Sequence, residues 1–296
     1  MEELKEFKGF GEKETFNNMK YRFTGETKVI DASGGTFTLH RIKAVAKFGN
    51  VKIGDLGGWI EKEENLSHEG NAWVYDNAWV RGDAEVSGNA KIYGGAYVFS
   101  NAKVYGNAKI YGNARVYGNA EVYDNAKVHG NARVYGSADV YDNAKIYGGA
   151  EVYDNAKVYD DAKVYDDARV CDSAKVYGHA KVYCKADVVG DAKVYGNAKV
   201  YGTAWFFGKA EVFDHAKVYG NTKVYGNAKV CDHASVYDVA KVYDDAKVYG
   251  HANVYEYAEV YGSAEVYGDA AVHEHANVYG DAEVYGDEIC TCEKIH

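Results

Sequence analysis

Residues 107–124 read NAKIYGNARVYGNAEVYD, which is three consecutive copies of one six-residue phrase. Thirty-six copies follow one another from Asn71 to Gly286 without an insertion or deletion. The second position is Ala in every copy except Thr222, and the fourth is aliphatic in every copy except Phe206. A fixed period of this kind indicates units that cannot bury their apolar side alone and must stack on their neighbours.

Within each copy, four residues alternate between apolar and polar or aromatic character, as in Ala108, Lys109, Ile110 and Tyr111. This two-residue period predicts a strand with one buried face, so we expect Ala and Val inside and Lys and Tyr outside. Positions six and one carry Gly or Asp followed by Asn, Asp, His or Ser, which tolerate left-handed backbone at a corner. Three copies of the phrase then make the three sides of one coil, so the thirty-six copies make twelve coils. The resulting triangular prism would be about 58 Å long.

The order small, any, aliphatic, any, turn, turn resembles the hexapeptide repeat of left-handed parallel β-helix proteins. The stretch 57–60 (GGWI), continuing into 71–76 (NAWVYD), is similar to the start of YdcK-like hexapeptide-repeat proteins. Those proteins are grouped with acyltransferases because their repeats are similar. The predicted fold is therefore all-β: a single-stranded left-handed parallel β-helix, a triangular β-solenoid of about 12 coils of 18 residues. The resemblance alone implies the left hand, because parallel crossovers in sheets are generally right-handed.

Four segments are expected along the chain. Residues 1–18 are a charged N-terminal segment, 19–70 a small β-hairpin cap, 71–286 the β-helix, and 287–296 a short C-terminal tail or cap. The hairpin would pair residues 20–30 with 36–48 around the glycine-rich residues 33–35. Trp59 is expected either to seal the apolar end of the first coil or to be an indole packed on the surface. At the other end, Ile289 and Ile295 would fold over the last coil, or that end would be a docking surface.

The charge, the cysteine count and the N-terminal composition restrict the partners and the compartment to be expected for this protein. The formal net charge is −10, which argues against a general binder of polyanions. The charged N-terminal segment contains no apolar run suited to a secretory signal, so a cytoplasmic location is expected, with no membrane partner. Five cysteines, an odd number without metal-finger spacing, agree with a reducing compartment. Cys290 and Cys292 form either a redox or metal pair or part of an unremarkable tail.

Every eighteenth residue should lie in one file along the prism. One face carries a lysine file, the residues Lys91, Lys109, Lys127, Lys145, Lys163, Lys181, Lys199 and Lys217. Beside it runs a tyrosine file that includes Tyr93, Tyr111, Tyr147 and Tyr165. Cations beside aromatic rings suit an extended anionic polymer, such as single-stranded nucleic acid or an anionic polysaccharide. The structural alternative is that lysine stems cover the sheet while the tyrosine rings stack on one another.

Histidines form a second file at one corner, where His215, His233 and His251 follow one another, with His179 two coils before His215. Imidazoles in a file suit a transition metal. Corner positions also accept His in place of Asn, so the metal hypothesis is a weak one.

Three functions remain open from the sequence. The first is a non-catalytic rigid scaffold without a cofactor, contacting a protein partner or itself through its tyrosine-rich faces. The second, implied by the resemblance, is an acyltransferase using an acyl-coenzyme A donor at a trimer interface. The third is an anionic-polymer binder along the lysine and tyrosine files. Because no segment leaves the coils between Asn71 and Gly286 to build pocket walls, we assign no catalytic residue and favour the scaffold. A trimer or an end-to-end fibre is the expected oligomer, if one forms.

Overall fold

Three parallel sheets form the faces of a β-solenoid in a computed structural model that describes residues 19–32, 35–286, 288–290 and 294–295. Successive copies of the repeat lie on successive faces, and each strand pairs in register with the strand one coil further on. Lys109 lies opposite Lys127, and Ile110 lies opposite Val128. The predicted parallel β-solenoid with 18-residue spacing is confirmed. The left hand stays an expectation from the family resemblance.

The strands are numbered in chain order and grouped by face. The N-terminal part contains β1 (Tyr21–Ala32), β2 (Gly35–Ala44), β3 (Leu56–Ile60) and a 3₁₀ turn (Glu63–Asn65). The first face stacks β4 (Trp73–Val74), β7 (Lys91–Ile92), β10 (Lys109–Ile110), β13 (Lys127–Val128), β16 (Lys145–Ile146), β19 (Lys163–Val164), β22 (Lys181–Val182), β25 (Lys199–Val200), β28 (Lys217–Val218), β31 (Ser235–Val236), β34 (Asn253–Val254), β37 (Ala271–Val272) and β40 (Glu288–Ile289). The second face stacks β5 (Trp79–Val80), β8 (Tyr97–Val98), β11 (Arg115–Val116), β14 (Arg133–Val134), β17 (Glu151–Val152), β20 (Arg169–Val170), β23 (Asp187–Val188), β26 (Trp205–Phe206), β29 (Lys223–Val224), β32 (Lys241–Val242), β35 (Glu259–Val260), β38 (Asn277–Val278) and β41 (Lys294–Ile295). The third face stacks β6 (Glu85–Val86), β9 (Lys103–Val104), β12 (Glu121–Val122), β15 (Asp139–Val140), β18 (Lys157–Val158), β21 (Lys175–Val176), β24 (Lys193–Val194), β27 (Glu211–Val212), β30 (Lys229–Val230), β33 (Lys247–Val248), β36 (Glu265–Tyr267) and β39 (Glu283–Tyr285).

The interior is a column of Ala and Val side chains, as the alternation predicted. These side chains are fully buried from Ala72 to Val278, and Phe206 is equally buried at a valine position. Thr222 replaces Ala without leaving a polar group unpaired, because its hydroxyl donates to the Tyr219 carbonyl at 3.2 Å. The regular strands span two residues rather than the expected four. Position two bends early into the corner, where the Ala108 N–H donates to the Tyr105 carbonyl at 3.3 Å.

Backbone hydrogen bonds join each coil to the next. Positions one, three and five of a copy donate their N–H groups to carbonyls of the following coil. In one copy, Lys109 donates to Ala126 at 2.9 Å, and Tyr111 donates to Val128 at 3.0 Å. At the corner, Asn113 donates to Gly130 at 2.8 Å. Because this pattern recurs along the coils, stacking satisfies most of the solenoid's backbone N–H groups, and the corner bonds within a coil add to it.

Corner residues at position six have left-handed backbone. Gly112 has φ of +69°, and the non-glycine Asp160 has φ of +56°. Asp tolerates this conformation better than most residues and adds a hydrogen bond here. The Asp160 carboxylate accepts the N–H of Gly178 at 3.0 Å, one coil further on. The sequence predicted that Asp would be tolerated at these corners, but not that its carboxylate would bond the next coil.

The cap, residues 19–70, closes the first coil on all three faces. The predicted hairpin is present, with β1 and β2 antiparallel, and β3 continues the second face by pairing in parallel with β5. On the first face, the Lys20 ammonium donates to the Ala72 carbonyl at 2.8 Å. On the third face, the Asn65 amide donates to the carbonyls of Gly82 and Ala84, both at 2.9 Å. The first coil therefore presents little open edge to other chains.

The prediction that Trp59 seals the apolar column is wrong. Trp59 lies opposite Trp79 and Ile60 lies opposite Val80, so the strand alternation places Ile60 inside and Trp59 outside. The Trp59 ring is covered from outside by the Lys28 ammonium, 4.0 Å from the ring centroid. Buried Tyr21, whose hydroxyl donates to the carbonyls of Glu63 and Leu66, belongs to the cluster that closes the column.

The C-terminal end continues the solenoid. Strand β40 pairs with β37 and β41 pairs with β38, so the first face has 13 strands and the solenoid about 13 turns where the repeat count predicted 12 coils. Ile289 occupies a core position opposite Val272 and is only 8% exposed. Predictions for residues 1–18, the hairpin tip at 33–34 and Cys292 fall outside the described residues. Within the described part of the chain, no helix has the length and apolar character needed to cross a membrane.

The corner geometry predicts that Gly112 tolerates substitution by Asp better than substitution by Ala. A Cβ atom there would lie 3.0 Å from backbone atoms of Gly130, and left-handed backbone costs an alanine roughly 1–2 kcal/mol. We expect Gly112→Ala to lose about that amount of unfolding free energy in chemical denaturation. Gly112→Asp should lose less, although Asp is larger, because its carboxylate can accept the Gly130 N–H. Equal losses in the two variants would contradict this view of the corner.

Candidate functional site

The lysine file is aligned as the sequence predicted, on the first face. Neighbouring lysines are paired in register along its strands, for example Lys145 with Lys163 and Lys163 with Lys181. None of the eight lysines forms an ion pair with a described residue. Two ammonium groups about 4.8 Å apart in water repel by roughly 0.9 kcal/mol. The first face therefore carries a positive charge that no ion pair between its own strands neutralises.

The other two faces neutralise their charges between adjacent coils. Their ladders contain six Lys or Arg ion pairs with distances of 2.6–3.0 Å: Arg133–Glu151, Lys157–Asp139, Arg169–Asp187, Lys193–Glu211, Lys241–Glu259 and Lys247–Glu265. Tyrosines of the same faces add bonds to these carboxylates, as where the Tyr195 hydroxyl donates to Glu211 at 3.2 Å. Some cations of these faces, such as Lys175 between Lys157 and Lys193, have no ion pair with a described residue, but the first face differs in that none of its eight aligned lysines has one.

The tyrosine file stacks on itself. The ring centroids of Tyr93 and Tyr111 are 4.9 Å apart with planes 1° from parallel, and those of Tyr147 and Tyr165 are 4.9 Å apart at 2°. Burial raises the pKa of all four hydroxyls, that of Tyr165 to about 12. His129 continues the stack between Tyr111 and Tyr147. Because the ring faces cover one another, these tyrosines do not offer open aromatic platforms.

A groove runs along the opposite side of the lysine file from the tyrosines. It lies between the lysines at position three and the corner residues at position one, and its volume is about 1020 Å³. Its lining residues are Asn143, Lys145, Asp161, Lys163, His179, Lys181, Asn197, Lys199, His215, Lys217, His233 and His251. Six coil steps separate Asn143 from His251, which makes the groove about 29 Å long.

The groove unites two sets of residues that the sequence had suggested separately. Five lysines of the file line one wall, and His215, His233 and His251 line the other. Lys91, Lys109 and Lys127 belong to the same file but lie outside the groove, and so do the candidate tyrosines. Asn143, Asp161 and Asn197 were not predicted as site residues. Comparing the position-one file with the adjacent position-three file would have identified them.

The corner histidines stack rather than converge. The rings of His215 and His233 are 4.9 Å apart with planes 13° from parallel, and those of His233 and His251 are 5.0 Å apart at 22°. Ring nitrogens lie in the ring plane, so parallel rings do not direct their lone pairs at one point, as a chelated metal requires. No set of three or more His, Cys, Asp or Glu suited to a metal ion occurs among the described residues. The weak metal hypothesis gains no support.

Comparison with known proteins agrees with the repeat pattern. The model of the YdcK beta-solenoid repeat family matches residues 108–124. The YdcK-like resemblance is confirmed. A curated relative, the "Uncharacterized acetyltransferase YdcK" of Escherichia coli (strain K12), is 38% identical over 61 residues. That alignment covers 19% of this chain and 19% of the relative, so the YdcK-like similarity spans about a fifth of either protein.

The charge contrast between the faces can be measured with two matched variants. Lys145 has no ion-pair partner among the described residues, whereas Lys157 contacts Asp139 at 2.8 Å. We expect Lys157→Gln to lower the unfolding free energy by about 0.2–1 kcal/mol. Lys145→Gln should leave it unchanged or raise it by up to about 1 kcal/mol, most at low salt, because a repulsion is removed. Comparable losses in both variants, measured across a salt series, would show that the lysine file is neutralised.

Proposed function

We propose that this chain is a non-catalytic, rigid β-solenoid that serves as an interaction scaffold. One observation carries the proposal. The strands from β4 to β39 follow one another at the six-residue spacing of the repeat and lie on the three sheets in turn. No segment leaves the coils between Asn71 and Gly286. A backbone bonded coil to coil in this way resists bending and holds side chains at fixed intervals along each face. That is what an extended contact surface requires.

The described histidines and carboxylates fit a scaffold better than a catalytic site. A general base needs an orienting partner and walls that exclude water. His179 and Asp161 approach to 3.6 Å at the groove, but their side chains are 68% and 52% exposed. His273 contacts Glu288 at 3.0 Å, and its ring stacks in the tyrosine file on Tyr255. The first pair is open to solvent on both sides, and in the second the His273 side chain is 12% exposed while that of Glu288 is 72% exposed, so neither pair has walls that exclude water.

Acyl transfer is the second candidate, because the YdcK relative carries the name of an acetyltransferase. An acyl-coenzyme A donor would be needed under this alternative, and a trimer would have to supply walls between subunits. The scaffold requires neither. A protein partner or a further copy of the chain is the contact that we propose for it, through the tyrosine-rich faces, since Tyr is large, stiff and amphipathic.

Two measurements on one sample separate these functions. Light scattering should give the 32.6 kDa monomer, or a dimer joined through the tyrosine-rich faces, rather than a trimer. Calorimetry should detect no saturable binding of acetyl-coenzyme A at concentrations up to about 1 mM. A trimer that binds acetyl-coenzyme A with a Kd below about 100 μM would overturn the scaffold.

A control variant strengthens the comparison. His179→Asn introduces the residue found at the same corner in Asn143 and Asn197. Under the scaffold proposal, this variant should match the wild-type chain in mass and in its failure to bind the thioester. Loss of a measurable acetyl transfer in His179→Asn would instead identify His179 as a base and contradict the proposal.

A further inference from the structure

The groove between the lysine file and the corner residues at position one has an excess of positive charge, although the chain as a whole is acidic. Five lysines face a single carboxylate, that of Asp161, among its lining residues, while the chain as a whole has a net charge of −10. One ammonium group stands on each of five successive coils, from Lys145 to Lys217. The occupant that complements this wall is therefore anionic, with charges that recur at about the 4.8 Å rise of a coil.

The opposite wall offers hydrogen-bonding groups that the solenoid does not use. Before the groove, the corner amides bond one another in a ladder that ends where the Asn125 amide donates to the Asn143 carbonyl oxygen. Beyond that point, the side chain of Asn197 makes no hydrogen bond to a described residue, and the ring nitrogens of His215 make none either. Unpaired amide and imidazole groups at the rim of the groove can bind hydroxyl groups of a ligand, because a hydroxyl both donates and accepts hydrogen bonds.

Shape restricts the occupant further. The groove is open along its length and straight for about 29 Å, so it does not enclose a small molecule. Its floor is the backbone at the alanine positions, whose hydrogen bonds already join adjacent coils, as Lys163 N–H to Ala180 carbonyl at 3.0 Å. An extended peptide would therefore find no strand edge to pair with. A linear polymer that binds through its side groups fits this surface.

Stacked rings argue against single-stranded nucleic acid. Proteins that bind it without sequence preference stack bases on open aromatic faces, worth about 1–3 kcal/mol per base. Here the ring of Tyr183 is stacked on Tyr165 at 4.8 Å and on Tyr201 at 4.8 Å, so both of its faces are covered. The tyrosine file also lies on the far side of the lysines from the groove. At the groove, His215, His233 and His251 stack on one another, and among the described residues that line it only the His179 imidazole stands without a ring beside it, which is too little for successive bases.

We propose that this groove is a binding site for a linear anionic polysaccharide of the uronic acid type. Lysine ammonium groups bind the carboxylates, and the Asn and His rim binds ring hydroxyls. A uronic acid polymer supplies one carboxylate and several hydroxyls per sugar ring, which are the two kinds of group that these walls can bind. The site is independent of the scaffold function, because a scaffold with an empty groove would keep the same mass and the same indifference to acetyl-coenzyme A.

The test compares two triple variants of the full chain that remove the same charge from the same face. Lys163→Gln, Lys181→Gln and Lys199→Gln neutralise the groove, while Lys91→Gln, Lys109→Gln and Lys127→Gln neutralise the lysines outside it. Oligogalacturonate is the probe, and its affinity is measured by calorimetry at fixed low salt. The loss of three exposed charge contacts is expected to weaken binding about tenfold in the groove variant. The outer variant should stay within about twofold of the wild-type chain.

Three outcomes would overturn the proposal. Equal losses in the two triple variants would show charge attraction without a site. Equal binding of methyl-esterified oligogalacturonate, which lacks the carboxylates, would remove the lysines from the contact. Tighter binding of single-stranded DNA or polyphosphate of matched charge would assign the groove to another polyanion. Circular dichroism of both triple variants confirms that each folds.

Discussion

The hydrogen bond between each coil and the next coil along the chain is the constraint from which the other features of this protein follow. It holds the strands in register, so that Ile110 lies over Val128 and Lys109 over Lys127. Register of this kind forces like positions into files. The interior file then needs side chains that fit at every level, and Ala with Val or Ile meets that need with almost no exposure. Small residues in left-handed backbone close the corners for the same reason.

The stacking of one repeat position over the same position in the next coil stabilises some side chains and destabilises others. Asn benefits, because one amide can donate to the next, as Asn89 does to Asn107 at 3.0 Å. Tyr benefits, because rings at the coil spacing stack in parallel. Lysine is penalised, because like charges repel at that spacing. The second and third faces reduce this penalty by placing carboxylates among their cations, as in Arg169 with Asp187. The first face does not, and its excess charge lines the groove.

Much of the fold could be predicted from the sequence, because the period and the alternation of polarity determine which residues share a file. The inward Ala and Val, the outward Tyr and the hairpin all follow from that reading. The position of Trp59 did not, because the cap lies outside the repeat and the register of Trp59 with Trp79 depends on the pairing of β3. The added coil at Ile289 was missed because the pairing of Ala271 with Glu288 departs from the regular period of the repeat.

The candidate site was predicted only in part. The lysine and histidine files were identified, but the tyrosines were assigned as the partners of the lysines. Position one and position five both flank position three along the chain, and sequence alone does not show which side leaves an open groove. The stacking of the tyrosine rings and the corner geometry decide this in the structure. The roles of Asp160 and Lys20 as caps of backbone groups depend on contacts between coils that no local pattern encodes.

Residue-resolved amide hydrogen exchange tests the central constraint most directly. If coil-to-coil bonding holds the solenoid together, amides at positions one, three and five should exchange slowest in the middle coils, for example at Lys145, Tyr147 and Gly149. Protection at these positions should decline toward β39, where fewer coils remain to stack on. Fast exchange at positions one, three and five of the middle coils, or protection that ignores the six-residue period, would contradict the account.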